Sequence, residues 1–161
     1  MRAAAAVVLI LVALSACGDP ATPAPSARVT APPQGALVSF GDEVVAAEIA
    51  DEREEWSRGL MFRERLDPDS GMIFLFDRRR PAGNGFYMKN TLIPLSIAYM
   101  LRTGEGVFEI VAIKDMAPCP AETLTCPTYP PGAAYDAALE VNKGWFEAAG
   151  VEVGDDARVE E

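Results

Sequence analysis

The sequence predicts a mainly β domain, a compact antiparallel sandwich or small barrel in an α+β setting with two short helices. Three observations predict it. Apolar runs are short and are punctuated by glycine and proline turns. Several runs alternate with period two, as Val45, Ala47 and Ile49 do. Helical periodicity is confined to two short stretches, which fits packed sheets rather than a parallel sheet covered by helices.

In chain order, residues 1–16 read as a signal peptide. A basic start at Arg2 precedes the apolar run Ala3–Leu14, which is too short for a membrane span of about 20 residues. Cys17 after Leu14-Ser-Ala resembles the bacterial lipoprotein box, in which the cysteine carries the lipid; an ordinary cleaved signal is the alternative. Residues 17–34 are rich in Pro, Ala, Thr and Ser and read as a lipidated, disordered tether. Residues 35–161 suit one globular domain.

Ala36–Phe40 and Glu43–Ala50 read as strands joined by a Gly41-Asp42 turn. Asp51–Leu60 reads as a short helix with early acids and an end at Arg58-Gly59. Leu66–Gly71 is a turn cluster; a calcium loop at Asp67, Asp69 and Ser70 has too few ligands. Met72–Phe76, apolar on both faces, reads as a doubly buried strand. Asp77–Gly85 reads as a loop, with Arg78-Arg79-Arg80 a solvated charge run or, alternatively, an anion-contacting patch.

The run Phe86–Leu101 is the centre of the sequence. Pro94 forbids one continuous central strand, so Phe86–Lys89 and Leu95–Leu101 read as two strands around a bend at Asn90–Pro94. After a Thr103–Gly106 turn, Val107–Ile113 returns antiparallel, with Val107, Glu109, Val111 and Ile113 on one face. Residues 114–132 form a long proline-rich loop. Leu139–Val141 centres another strand, Trp145–Ala149 a helix stopped by Gly150, and Ala157–Glu160 the last strand.

Composition narrows the function. The chain has no histidine, which removes Ser-His-Asp and Cys-His triads and the common zinc sites. A net charge of −10 makes it a poor partner for nucleic acid. Cys119 and Cys126 lie in the proline-rich loop of an exported chain. They read as a structural disulfide, with a soft-metal pair as the alternative. Met61, Met72 and Met88 read as core fillers unless they converge on a cuprous ion. No cofactor and no metal site is expected.

Several strings together carry a resemblance: Arg53-x4-Arg58-Gly-Leu-Met-Phe-Arg63, Gly71-Met-Ile-Phe-x-Phe76 and Phe86-Tyr-Met-Lys-Asn-Thr-Leu-Ile-Pro94, followed by Cys119, Cys126, Tyr129, Ala138-Leu-Glu-Val-Asn142 and Gly150-Val-x-Val-Gly-Asp155. In order and spacing they resemble the family named domain of unknown function 192, from about Val44 to Val159. The resemblance implies a compact, mainly β, often exported domain, and no activity, ligand or cofactor. Tyr87 stands where the family usually has Trp, and Ser96 where it often has Asp.

The candidate ligand-binding residues are Arg63, Lys89, Asn90, Thr91, Glu140 and Asn142. Strand alternation puts Glu140 and Asn142 on one face. Lys89 either holds an anionic group or pairs with Glu140 or Asp77. Arg63 either binds an anion bidentately or ties down a helix end. The expected function is a membrane-tethered envelope module that binds a small anionic ligand, a glycan or a partner protein. It would face the periplasm, with the outer membrane favoured by the resemblance of Gly18 after the cysteine to the enterobacterial sorting pattern, or the cell surface. The alternatives are a hydrolase or lyase using Glu140 with Lys89 or Arg63, and a purely structural envelope protein.

Overall fold

The computed structural model describes Pro32 and residues 35–161. The segments expected to be a signal peptide and a tether, Cys17 included, lie outside the described residues apart from Pro32. The elements in order are β1 (Gly35–Phe40), β2 (Glu43–Ala50), α1 (Arg53–Arg58), β3 (Ser70–Arg80), β4 (Phe86–Tyr87), β5 (Leu95–Gly104), β6 (Val107–Met116), β7 (Thr128–Tyr129), β8 (Tyr135–Asn142), α2 (Trp145–Ala149) and β9 (Asp156–Glu160).

Seven strands close a barrel in the order β1-β2-β3-β8-β5-β6-β9, and β4 and β7 form a separate two-stranded sheet. The small-barrel form of the predicted fold is therefore the one adopted. Every barrel pair is antiparallel except β2 with β3, which run parallel across the connection carrying α1.

Two apolar clusters occupy the two faces of the barrel wall. The interior is filled by alternate strand residues such as Val38, Val45, Ile73, Ala98, Phe108, Leu139 and Ala157. Phe146 of α2 joins this cluster and stacks edge-on to Phe40. The outer face of β3, β8 and β5 buries Met72, Phe74, Ala138, Ile97 and Tyr99 under Leu60, Met88 and Cys119 of the covering segments. This is why Met72–Phe76 is apolar on both faces: Ile73 faces inward, while Met72 and Phe74 face the cover.

Four expectations need correction. β3 runs on through Arg80, so 78–80 is strand rather than loop; its pairing with β8 resumes at Arg80–Tyr135 after a register shift. Arg79 is held there by Asp136, at 3.1 Å to both carboxylate oxygens. Phe86–Lys89 contracts to Phe86–Tyr87, which pairs with Thr128–Tyr129 inside the proline-rich segment. That segment is therefore not all loop, and its C-terminal part anchors the cover. Finally, the β5–β6 register shifts after Tyr99, so strict alternation fails in β6. Phe108 and Ile110 face the interior, Val111 and Ala112 the cover.

Candidate functional site

A cavity of ≈ 120 Å³ lies between the outer face of β3–β8 and the covering segments. The α1 end supplies Trp56 and Arg58-Gly-Leu-Met61; β3 supplies Phe74, Phe76 and Arg80. Gly85-Phe-Tyr87 and Thr91 close the cover side, and β8 supplies Tyr135 and Glu140.

Local geometry explains this convergence. Glu55 accepts hydrogen bonds from the amides of Asp51 and Glu52 and so fixes the start of α1. Gly59, at φ 45, ends the helix and turns Leu60 into the cluster. Phe62 and Asn90 both adopt positive φ, 62 and 60. They are stitched together by Phe62 N–H donating to Asn90 O, while Asn90 N–H donates to Cys119 O. The Cys119–Cys126 disulfide, Cα–Cα 5.9 Å, pins that loop. Aromatic rings build one wall: Phe74 and Phe86 lie 4.9 Å apart, and Phe76 and Tyr135 5.7 Å apart.

Glu140 is the chemical centre. It is 4% exposed and lines the cavity. Its carboxyl has no hydrogen-bond or ion-pair partner among the described residues. Burial pushes its pKa up to about 8, so the acid is neutral at pH 7. On neighbouring strands it faces Met72 and Ile97. Arg80 stacks over Phe76 at 4.8 Å, and its buried Nε has no hydrogen-bond partner. Burial raises the pKa of Tyr135, against the opposing pull of Arg80, and its hydroxyl donates to Asn84 O at 2.8 Å. Burial also raises the pKa of Tyr99, whose hydroxyl donates to Tyr129 O.

Of the six candidate residues, the cavity takes in Glu140 and Thr91. The others have partners elsewhere. Lys89 Nζ donates to Ala121 O at 2.9 Å and Thr123 O at 2.8 Å, so it pairs with neither Glu140 nor Asp77. Arg63 pairs with Glu48 at 2.6 Å and lines an adjoining open groove. Asn90 Nδ2 lies 3.9 Å from Met61 Sδ. Asn142 Nδ2 donates to Asp67 O at 2.9 Å and Leu66 O at 3.2 Å. Glu140 therefore lacks both of the partners a Glu140–Lys89 or Glu140–Arg63 hydrolase would need.

Ser96 lies away from the cavity, donating to Asp115 at 2.6 Å and accepting from Gly144 N–H. Met72 and Met88 pack in the outer cluster, and Met61 forms cavity wall. Among the described residues no group of three or more His, Cys, Asp or Glu is placed to hold a metal.

Arg80, Tyr135 and Arg58 were not among the six. Arg58 and Arg63 carry the same sequence signal, a guanidinium beside Gly-Leu-Met-Phe. For Arg80 the signal was its place in an arginine run after an apolar strand, which reads equally well as solvated.

No curated protein matches the chain. Among solved structures, one from Novosphingobium aromaticivorans DSM 12444, a protein of unknown function, is 28% identical. It covers 88% of this chain and 99% of its own, with a TM-score of 0.58. Another, from Sinorhizobium meliloti 1021 and put forward as a transcription regulator, is 24% identical and shares the fold. It covers 83% of this chain and 98% of its own, with a TM-score of 0.63. Parts of four strings that carry the family resemblance line this cavity (Arg58–Met61, Phe74 with Phe76, Phe86 and Tyr87 with Thr91, and Glu140), and the sequence model of DUF192, described as Uncharacterized ACR, matches residues 36–159; the chain belongs to that family.

Proposed function

We propose that the protein is a lipid-tethered, extracytoplasmic binding module whose site is the cavity floored by Glu140. One observation carries this reading: a carboxyl that is 4% exposed and unpartnered faces an aromatic-walled cavity. An unpaired buried acid costs stability, because its ionised form is poorly solvated and its neutral form lacks hydrogen bonds. A fold that keeps one at a cavity wall is poised to use it on a ligand. At ≈ 120 Å³ the cavity suits a small molecule rather than a glycan chain or a protein segment. The purely structural alternative leaves Glu140 without a role, since no described residue uses it.

The test is methyl NMR of the full chain in lipid nanodiscs with labelled methionine, titrated with a fragment library of mixed charge. Fragments that bind the cavity shift the Met61 methyl and leave that of Met100, inside the barrel, unmoved. If no fragment shifts Met61, the cavity is not a ligand site.

A further inference from the structure

Two polar groups of the cavity, Arg80 Nε and the Glu140 carboxyl, lack hydrogen-bond partners among the described residues, while Tyr135 and Trp56 donate to Asn84 O and Ala50 O. Arg80 Nε is buried and unpartnered. Glu140, neutral at pH 7, presents an O–H. Arg58 adds a second guanidinium at the α1 end. Such a lining is electropositive although the chain as a whole is acidic, with a net charge of −10. It disfavours a cationic ligand and favours an anionic one.

The groups are also spread along the cavity. Arg80 pairs across the sheet with Tyr135, and Glu140 lies five residues further along β8 (140 − 135), which is about 17 Å of strand. The Arg80 side chain folds back over Phe76, which shortens the gap. Between the two ends stand Phe74, Phe76 and Phe86.

We propose that the cavity binds a small carboxylate with an apolar, aromatic or aliphatic body: the carboxylate on Arg80, the body along Phe74, Phe76 and Phe86, and the far end against Glu140. This rests on the reading of the cavity as a ligand site. A guanidinium meets a carboxylate through paired N–H donors. A phosphate dianion would need more charge-assisted donors than one half-buried and one exposed arginine supply.

The same arrangement makes binding sensitive to pH. The titratable groups lining the cavity are Glu140 and Tyr135 on β8, Tyr87 on β4, Arg80 on β3 and Arg58 on α1, with Tyr99 of β5 close to Glu140. As pH rises past about 8, Glu140 gains a negative charge in the cavity that holds the anion. Affinity then falls, by roughly tenfold for charges separated by most of a small ligand's length.

Isothermal titration of the full chain in nanodiscs tests the proposal with hydrocinnamate, its amide hydrocinnamide and phenethylamine. The expected result is hydrocinnamate at least about tenfold tighter than either competitor at pH 7. Arg80→Gln abolishes that preference, and Arg78→Gln, at an exposed neighbour, retains it. Raising the pH from 7 to 9.5 weakens hydrocinnamate binding in the wild type and not in Glu140→Gln, which keeps a donor without the charge. A thermal melt of each variant confirms folding. Equal or tighter binding of the amide or amine overturns the carboxylate class, as does an Arg80→Gln chain that keeps the preference. If other fragments shift the Met61 methyl and hydrocinnamate does not, the class fails while the site stands. If none does, both fail.

Discussion

At the scale of single residues the cavity depends on the burial of Glu140. The sign of its effect on stability follows from the direction of its shift. The unfolded carboxyl releases its proton near 4.5, as an ordinary glutamate does, and the folded one keeps it to about 8. Between those values the folded state binds the extra proton, so stability from this group is full below about 4.5 and declines until about 8. Glu140→Gln removes that decline. The variant's denaturant-derived stability should therefore be flatter across this window than the wild type's. At pH 8 it should exceed the wild type by a few kcal/mol, on the order of one factor of ten in the folding constant per pH unit. Parallel curves for the two chains would show that Glu140 is not held neutral. Strand period correctly placed Glu140 and Asn142 on one face in the sequence. It could not show that Asn142 would reach the carbonyls of Leu66 and Asp67 while Glu140 met none. Lys89 was misleading for a similar reason. Its acceptors, Ala121 O and Thr123 O, are backbone atoms of a distant loop, and no side-chain pattern announces a backbone acceptor.

At the scale of elements the site depends on how closely β3 meets β8. Gly71 pairs with Val141, and a Cβ at Gly71 would lie 2.5 Å from Glu140 O. That neighbour is backbone in a barrel wall and has little room to give. Gly71→Ala should push the strands apart beside Glu140 and cost on the order of 2–4 kcal/mol, read as a lower denaturant midpoint with an unchanged slope. A midpoint within error of the wild type would mean the wall yields more readily than a closed barrel should. Most of the strand set was legible because alternation and turn residues mark it. The parts that were not legible share a cause. β3 continues past Phe76 because Arg79 finds Asp136, a partner 57 residues away. Likewise β4 and β7 are two residues each and exist only through one another. Both depend on pairing between distant segments, which local pattern does not record.

At the scale of the whole molecule the barrel interior and the cavity are separate constructions on the two sides of one wall. Residues from all seven barrel strands fill the interior, and the covering segments build the site. The route of the chain adds a third feature. Pro32 and Gly35, at the start of the described domain, line the groove that shares Arg58, Gly59 and Met61 with the cavity. An anchor at Cys17 would therefore join the domain beside the cavity. The acidic charge sharpens the test of that anchor. A chain of net charge −10 is repelled by anionic headgroups, so attraction to the surface cannot substitute for a lipid. Cys17→Ser should move the protein from the membrane fraction to the soluble fraction and abolish incorporation of a labelled fatty acid. The melting temperature of the domain should stay unchanged, because the barrel strands begin at Gly35. A Cys17→Ser chain that still sediments with membranes, or still takes up the label, would remove the tether from the proposed function and leave the cavity to be judged by itself.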